Sequence, residues 1–501
     1  MGGLTTDSPD GPQHDGRHDG PKPTGRADGS APEGRADSRA DNRDDGPSQE
    51  GRSGSAGTGA GGGGNPLGHG PVLLLAGARL ADGRVVDVRI SGDRIQAVGT
   101  CGSLGPLPQS ALPAGADPSG VAGARIDLTG YLLLPAPAEP HAHHDTAFTA
   151  LTPAPPDEPV APAPADPGGV ARRVTEAALT SLGYGATAQR THVRIGDVHG
   201  LRRLESVLTA RQALRGLADL QAVAVPRLLT GTAGADGRAQ LREALKLGAD
   251  AVGGCPELDP DPVGFVQVAA ELAGEFDCPV DLHLRGGDPA ALARICALLA
   301  PLRPRVTLGP LDQLRRGAGA AAEGAGLDGA GLDGAGLDEV GVLQAAGVHV
   351  VCLPQNGGCA ALDGPPGGLD PAAVHELTSR RLTVAAGSGT LRDAVNPVGR
   401  TDPLEAAYLL ASCGALTPAA AYEAISGQAR RVLGLPPVRV DAGFPAELLA
   451  VRGETLAAAL AGGHSRLVVH GGRVVSRTSA VREFADTVAL ALPRQGGPQR
   501  H

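Results

Sequence analysis

The chain has 501 residues and a formal net charge of −10, with no Trp and an aromatic share of only 2%. It contains no Lys/Arg-rich stripe interleaved with aromatic side chains, which argues against nucleic acid as its main partner. No run of 18 apolar residues occurs, so we expect no membrane-spanning segment and no membrane partner. Seven cysteines without CxxC pairs suggest reduced thiols and therefore a cytoplasmic protein.

Both ends of the chain read as tails. Residues 1–70 are mostly Gly, Asp, Arg, Pro and Ser, with stuttering repeats such as GRADG and SRADN. Such a segment cannot bury enough apolar surface to offset its conformational entropy, so we predict that it is disordered. It has no apolar h-region of a secretory signal. Residues 481–501 are predicted to form a second tail.

Strand patterns begin at residue 71. The segment PVLLLAGARLADGRVVDVRISGDRIQAVG alternates apolar and polar residues between Gly and Asp turns, which is typical of successive β-strands. The segments ELLAVRG (447–453) and RLVVHGGRVVS (466–476) show the same pattern near the other end. Residues 71–130 and 436–480 are therefore predicted to form one small β-sandwich domain built from both ends of the chain.

The middle of the chain alternates short apolar runs with helix-period stretches, which predicts an α/β fold. Eight such runs over residues 131–435 favour a TIM-like (β/α)8 barrel, with an open doubly wound sheet as the alternative. The runs are residues 131–135, 186–193, 220–225, 249–254, 279–284, 305–309, 349–354 and 382–386.

A low-complexity insertion interrupts this alternation between the sixth and seventh runs. Residues 324–338 repeat the unit GAGLD three times. A solenoid needs longer repeats to build a core, so we predict a flexible surface insertion over residues 317–338.

Candidate metal ligands lie at the predicted strand ends, where barrel enzymes carry their chemistry. The stretch PHAHH places His141 and His143 at the end of the first strand, and VDLHL places His283 at the end of the fifth. Three imidazoles plus water form a recognised site for Zn or Fe, although each histidine could instead be a hydrogen-bonded residue of the barrel mouth. Other strand-end residues are expected to line a pocket: His192, Arg227, Gln355 and Asp393.

Several motifs together resemble one known family. The segments GYLLLPAPAEPHAHHD, RTHV, GGCPELDPDP, PVDLH and VAAGSGTLRDAVNPVGRTDPLEAA occur in this order within residues 71–480. They are similar to the cytosine-deaminase-like branch of the amidohydrolase superfamily. The resemblance implies a barrel with a composite sandwich domain. It also implies one divalent metal, held by His141, His143, His283 and a strand-eight Asp.

The resemblance also shows where this sequence departs from the family. The position of the proton-shuttling Glu falls on Gly286, that of the strand-six His on Pro310, and that of the strand-eight Asp on Gly389. Deamination needs a carboxyl group that moves protons beside the metal, and none of these three residues can do so. The nearest carboxylates in the strand-end loops are those of Glu257 and Asp393.

Two functional hypotheses follow from this pattern. By lineage the chain is a metal-dependent hydrolase of C–N bonds in small cyclic amines or amides. Alternatively, it is a catalytically inactive relative that binds a ligand or partners an active paralogue. The expected partner is a small-molecule ligand, together with a second copy of the chain or that paralogue. A structural protein acting through its N-terminal tail is a third reading, with composition alone behind it.

Overall fold

The computed structural model describes residues 72–105, 123–150, 166–196, 199–314, 338–355 and 370–480. The predicted tails at residues 1–70 and 481–501 lie outside these ranges, as does the predicted insertion at 317–338 apart from Asp338. None of the helices in the described ranges is long and apolar enough to cross a membrane.

One sheet combines strands from both ends of the chain. Its strands are β1 (Val72–Arg79), β2 (Val85–Ser91), β3 (Arg94–Thr100), β4 (Gly123–Asp127), β5 (Tyr131–Pro135), β14 (Leu448–Arg452), β15 (Arg466–His470) and β16 (Arg473–Thr478). They run in the order β16-β15-β14-β5-β1-β2-β3, with β4 paired to β1. The alternating apolar positions form one core, which includes Leu75, Val88, Leu133, Leu448 and Val469. The prediction of a small β domain built from both chain ends is confirmed.

The prediction that residues 131–135 form the first barrel strand is wrong. Strand β5 belongs to the terminal sheet, where it pairs antiparallel with β14 through partners such as Leu133 and Ala450. Its run is apolar throughout because both faces are buried: Leu133 packs in the sheet core, and Leu132 and Leu134 pack in the barrel core. A strand buried on both faces gives the same apolar run in either sheet, so the pattern could not assign it.

The barrel itself has eight parallel strands. They are β6 (Ala138–Ala142), β7 (Ala188–Ile195), β8 (Asp219–Pro226), β9 (Ala251–Gly254), β10 (Val280–Leu284), β11 (Val306–Pro310), β12 (His349–Cys352) and β13 (Val384–Ala386). Each strand lies beside the next one in the sequence. A bridge between Ala142 and Gly389 joins the first and last strands just beyond their ends. The (β/α)8 barrel is therefore confirmed, and the open-sheet alternative is wrong.

Helices surround the barrel and separate its strands. They are α1 (Pro167–Tyr184), α2 (Arg202–Ala213), α3 (Ala235–Leu247), α4 (Pro262–Glu275), α5 (Pro289–Leu299), α6 (Glu339–Ala346), α7 (Pro371–Ser379), α8 (Pro403–Ser412), α9 (Pro418–Ile425), α10 (Gly427–Val432) and α11 (Leu456–Gly462). Helices α1, α4, α5, α7 and α8 each begin with Asp followed by Pro. The Asp side chain accepts a hydrogen bond from a free N–H of the first turn, and Pro at the first position needs no such partner.

A buried ion pair ties the barrel to the terminal sheet. Asp402, at the start of α8, accepts hydrogen bonds from Nη1 and Nη2 of Arg466 on β15, both at 2.8 Å. Asp402 is 2% exposed and Arg466 7% exposed, so water screens this pair very little. Removing Arg466 would leave the buried Asp402 carboxylate with only the more distant, exposed Arg400 as a counter-charge, at 3.8 Å.

We therefore expect Arg466→Leu to lower the free energy of unfolding by about 3–5 kcal/mol, because Asp402 stays buried without its partner. The matched control is Arg84→Leu, which removes an arginine from an exposed pair with Asp82. Its cost should stay below about 1 kcal/mol. Urea unfolding of the two variants checks this, and equal losses would contradict the assignment of Asp402–Arg466 as the connection between the two sheets.

Candidate metal centre

The barrel carries a cluster of histidines at the C-terminal ends of three strands. His141 lies on β6 and His143 directly follows it, while His192 lies on β7 and His283 on β10. Side chains two residues apart on a strand share a face, so His141 points into the barrel and His143 follows on the same side at its mouth. His141, His192 and His283 are buried, and His143 is partly exposed.

The four rings converge on one small volume. Each offers one ring nitrogen, and these four atoms all lie within 4.8 Å of one another. Nε2 of His143 lies 3.1 Å from Nε2 of His283. The rings of His141 and His192 have centroids 4.0 Å apart, and those of His143 and His192 are 5.5 Å apart. Within the described residues, this group of candidate metal ligands contains histidines only.

Burial favours the neutral form of three of these imidazoles, those of His141, His143 and His192. It lowers the pKa of His141 well below its usual value, and the nearby rings of His192 and His283 lower it further. Burial also lowers the pKa values of His143 and His192, and in both cases the His283 ring is the next cause. A neutral imidazole has a free lone pair, which is the form that binds a metal.

Several buried nitrogens of the cluster have no hydrogen-bond partner. Whether a metal ion would satisfy them tests whether the residues present fit a metal. Both ring nitrogens of His141, both of His192 and Nδ1 of His283 have no hydrogen-bond partner among the described residues. A buried polar atom without a partner is costly, by roughly 1–3 kcal/mol. A divalent ion bound by these nitrogens would satisfy several of them at once, so the residues present fit a metal.

One buried carboxylate lies behind the cluster in an ion pair. Asp281 is two residues before His283 on β10, and its Oδ2 accepts a hydrogen bond from Nη1 of Arg190 at 2.8 Å. Its Oδ1 lies 3.2 Å from Nε2 of His192. Asp281 and Arg190 are 0% and 1% exposed. Asp281 thus lies beside the cluster with its charge paired to that of Arg190.

A second buried carboxylate belongs to Glu139, two residues before His141. It accepts hydrogen bonds from the backbone N–H of His141 at 3.1 Å and of Ser388 at 3.0 Å. Burial raises the pKa of Glu139 to about 7, although these N–H donors oppose the shift. A Cβ at Gly387 would lie 2.7 Å from Oε1 of Glu139, so glycine is required for this contact. Glu139 therefore fixes the backbone on both sides of the junction between the first and last barrel strands.

Sequence reasoning did not identify Glu139 or Asp281 as residues of this site. The signal was present, because each lies two positions before a candidate ligand, in EPH and DLH, and so shares its strand face. The sequence predicts His192 only as a residue that lines the pocket. The structure places His192 in the same group as His141, His143 and His283.

The other residues predicted to line a pocket are spread over the strand-end loops. Arg227 is exposed at the end of β8. Gln355 donates from Nε2 to the backbone carbonyl of Asp402 at 3.1 Å. Asp393 accepts hydrogen bonds from Thr146 at 2.8 Å and from the backbone N–H of Asn396 at 3.0 Å. Gln355 and Asp393 thus hold loops together, and a role in ligand binding stays a prediction for all three.

Glu257 contributes to a different cavity. Its Oε1 accepts hydrogen bonds from the backbone N–H groups of Arg285 at 3.0 Å and Gly286 at 3.3 Å. Burial raises its pKa, while these donors oppose the rise. The cavity it lines measures about 410 Å³ and is lined also by Leu284 and Ile295, without any of the four histidines. Glu257 therefore lies at the backbone of Gly286 but on a different side of β10 from His283.

The three positions at which the sequence is predicted to depart from the family are part of the backbone framework. Gly286 and Gly389 have φ values of 83° and 74°, in the left-handed region that favours glycine. Pro310 is the last residue of β11 and lies opposite Leu284 in the ladder. Gly389 donates its N–H to the carbonyl of His141 at 3.0 Å and accepts from the N–H of His143 at 2.8 Å.

The fold has counterparts among solved structures. The solved structure of N-isopropylammelide isopropylaminohydrolase from Burkholderia multivorans is 26% identical, with a TM-score of 0.64 over 81% of this chain and 99% of that chain. The solved 5-methylcytosine deaminase from Klebsiella pneumoniae is 20% identical, with a TM-score of 0.62 over 83% and 100% of the two chains.

A curated protein is also similar to this chain in sequence. The N-isopropylammelide isopropyl amidohydrolase of Pseudomonas sp. (strain ADP) is 27% identical over 233 residues. The match spans about half of that protein, 53%, and 42% of this chain. No family model matches.

These relatives are members of the amidohydrolase superfamily, and this chain has their fold. The family resemblance inferred from the motifs is thereby confirmed. By their names, the relatives are an amidohydrolase, an aminohydrolase and a deaminase. The ligand assignment of His141, His143 and His283 stays a prediction, as do the losses at Gly286, Pro310 and Gly389.

The left-handed backbone at Gly389 gives a testable consequence. Restoring the family carboxylate as Gly389→Asp should lower the free energy of unfolding by about 1–2 kcal/mol, because an L side chain is strained at this φ. The control is Gly168→Asp in the first turn of α1, where φ is ordinary and a Cβ meets open space. That variant should lose nothing, since an acidic residue is favourable there. Equal melting temperatures for the two variants would show that a side chain at position 389 causes no backbone strain.

Proposed function

We propose that the chain binds one divalent metal ion at the barrel mouth through His141, His143 and His283. We further propose that it descends from hydrolases of C–N bonds in small cyclic amines or amides and now hydrolyses such bonds slowly. The observation that carries the proposal is the group of four imidazoles in which both ring nitrogens of His141 and His192, and Nδ1 of His283, are buried without a hydrogen-bond partner among the described residues. The relatives named above support the substrate class.

The donor set favours particular metals. Imidazole nitrogens suit Zn, Cu, Fe and Ni, whereas Mg and Ca prefer oxygen ligands. Zn or Fe is therefore our proposed cofactor. A bound ion of this kind would act as a Lewis acid and would make water a nucleophile at neutral pH. His143, the partly exposed member of the cluster, would face the incoming ligand, whereas His141 and His283 lie deeper.

Proton transfer is the weak step of this site. A hydrolase of this kind needs a group that carries a proton to the leaving amine, and losing one typically costs ~10²–10⁴-fold in rate. Gly286 and Pro310 have no such group. Glu257 faces another cavity, and Asp393 is held by backbone N–H groups of its own loop. These positions favour slow turnover.

A second candidate function is supported by the same positions. The chain would then be a catalytically inactive relative that binds a small cyclic ligand or partners an active paralogue. It would keep the metal as part of the binding site. Turnover separates the two candidates, because an inactive relative would bind the ligand without releasing amine.

The proposal predicts a metal content and a rate. Protein produced with added zinc should carry about one equivalent, and His283→Ala should lose most of it, because one of the proposed ligands is gone. Mass spectrometry of the metal checks this, with His375→Ala on the outer helix α7 as the control.

The rate is measured on N-isopropylammelide and cytosine, side by side with the Burkholderia relative. We expect amine release at least ~10²-fold slower than in that relative, because the proton carrier is absent from the family position. Zinc-free wild-type protein would refute the metal site. Amine release as fast as in the relative would refute the loss of proton transfer.

A further inference from the structure

The histidine cluster contains one imidazole more than the proposed metal site uses. We infer that His192 is the fourth protein ligand. The second barrel strand, β7, would then supply the ligand that the eighth barrel strand, β13, lacks. The site would then be a closed tetra-imidazole centre. This inference rests on the proposed metal binding, and it names a ligand outside the set that the family resemblance implies.

The geometry of the four rings supports a common centre. In a tetrahedral zinc site with Zn–N bonds of about 2.0–2.1 Å, two ligand nitrogens lie about 3.3 Å apart. The Nε2 atoms of His143 and His283 are already 3.1 Å apart. All four candidate nitrogens lie within 4.8 Å of one another, and the centroids of His192 and His283 are 4.6 Å apart. Small side-chain rotations would bring the whole set to bonding distance.

The surroundings of His192 leave its ring in need of a partner. It is 1% exposed, and neither ring nitrogen makes a hydrogen bond to a described residue. Two acceptors flank it: Oδ1 of Asp281, 3.2 Å from Nε2, and the backbone carbonyl of Ala142. Neither is aligned well enough to satisfy it. A metal at one nitrogen and Asp281 at the other would satisfy both.

Asp281 is well placed for that second role. Histidines that bind metals usually donate their other ring N–H to a carboxylate or carbonyl, which orients the ring and strengthens the ligand. Arg190 holds Asp281 through a 2.8 Å hydrogen bond, and Gln221 holds Arg190 at 3.0 Å. The chain of contacts from Gln221 to His192 thus fixes the ring from behind and supplies a negative charge near the ion.

The eighth barrel strand, β13, cannot supply the missing ligand through a side chain at position 389. Gly389 has no side chain, and its backbone N–H and carbonyl are both engaged with the segment that carries His141 and His143. Four protein ligands also leave no open position for water, which is the difference between structural and catalytic zinc sites. A closed centre would therefore explain slow hydrolysis independently of the missing proton carrier.

The number of imidazoles can be counted in the unmodified protein. X-ray absorption spectroscopy of the zinc-loaded full chain should fit four imidazole nitrogens. A fit to three imidazoles and an oxygen would overturn the inference while leaving the proposed metal site intact. If the protein takes up no zinc at all, the proposed function itself fails.

Variants give an independent measure. His192→Gln should weaken zinc binding by more than ~100-fold, and Asp281→Asn by ~10–100-fold, as measured by competition with a chelator. The matched control is His349→Gln, a buried histidine on β12 outside the cluster, which should leave the affinity unchanged. The visible absorption of cobalt-loaded His192→Gln should differ from that of the cobalt-loaded wild type, because water would replace one imidazole in the fourth position. Wild-type affinity in His192→Gln would overturn the inference, and if that variant does not fold, the spectroscopic count in the wild type decides.

Discussion

The hydrogen bonds of Gly389 to the chain that carries the first two histidines hold the whole site in place. They close the barrel between its first and last strands, at the point where His141 and His143 leave β6. Glycine, which has no Cβ, makes this contact at a left-handed φ of 74° without strain. Gly389, predicted to occupy the position of the family's metal-binding Asp, therefore works here as part of the backbone.

Burial of the imidazoles is the second feature of the site. His141, His192 and His283 are almost fully excluded from solvent, and their partnerless nitrogens are costly in the absence of an ion. The buried charges nearby are arranged as supports, since Asp281 pairs with Arg190 and Glu139 binds backbone N–H groups. Such an arrangement is compatible with a firmly held metal ion and with little proton transfer at the barrel mouth.

Much of the fold could be predicted from the sequence because it depends on local patterns. Apolar runs that alternate with helix-period stretches predicted the barrel, and strand patterns at both ends predicted the composite sheet. The error at Tyr131–Pro135 has a physical cause, since a strand buried between two cores has no polar face to identify its sheet.

The candidate site was only partly predictable for a similar reason. The HxH spacing and the strand-end position identified His141, His143 and His283 as neighbours. The approach of His192 to this group depends on the register between the neighbouring strands β6 and β7, and spacing within one strand carries no such information. The contact between Glu139 and Ser388 joins residues 249 positions apart, so it too was hidden.

The central claim is that these imidazoles share one metal ion, and anomalous diffraction tests it most directly. Crystals of the protein grown with zinc would be measured on both sides of the zinc absorption edge. The account predicts one strong anomalous peak inside the barrel mouth, within bonding distance of His141, His143, His192 and His283. An empty barrel mouth, with zinc only at surface side chains, would contradict it.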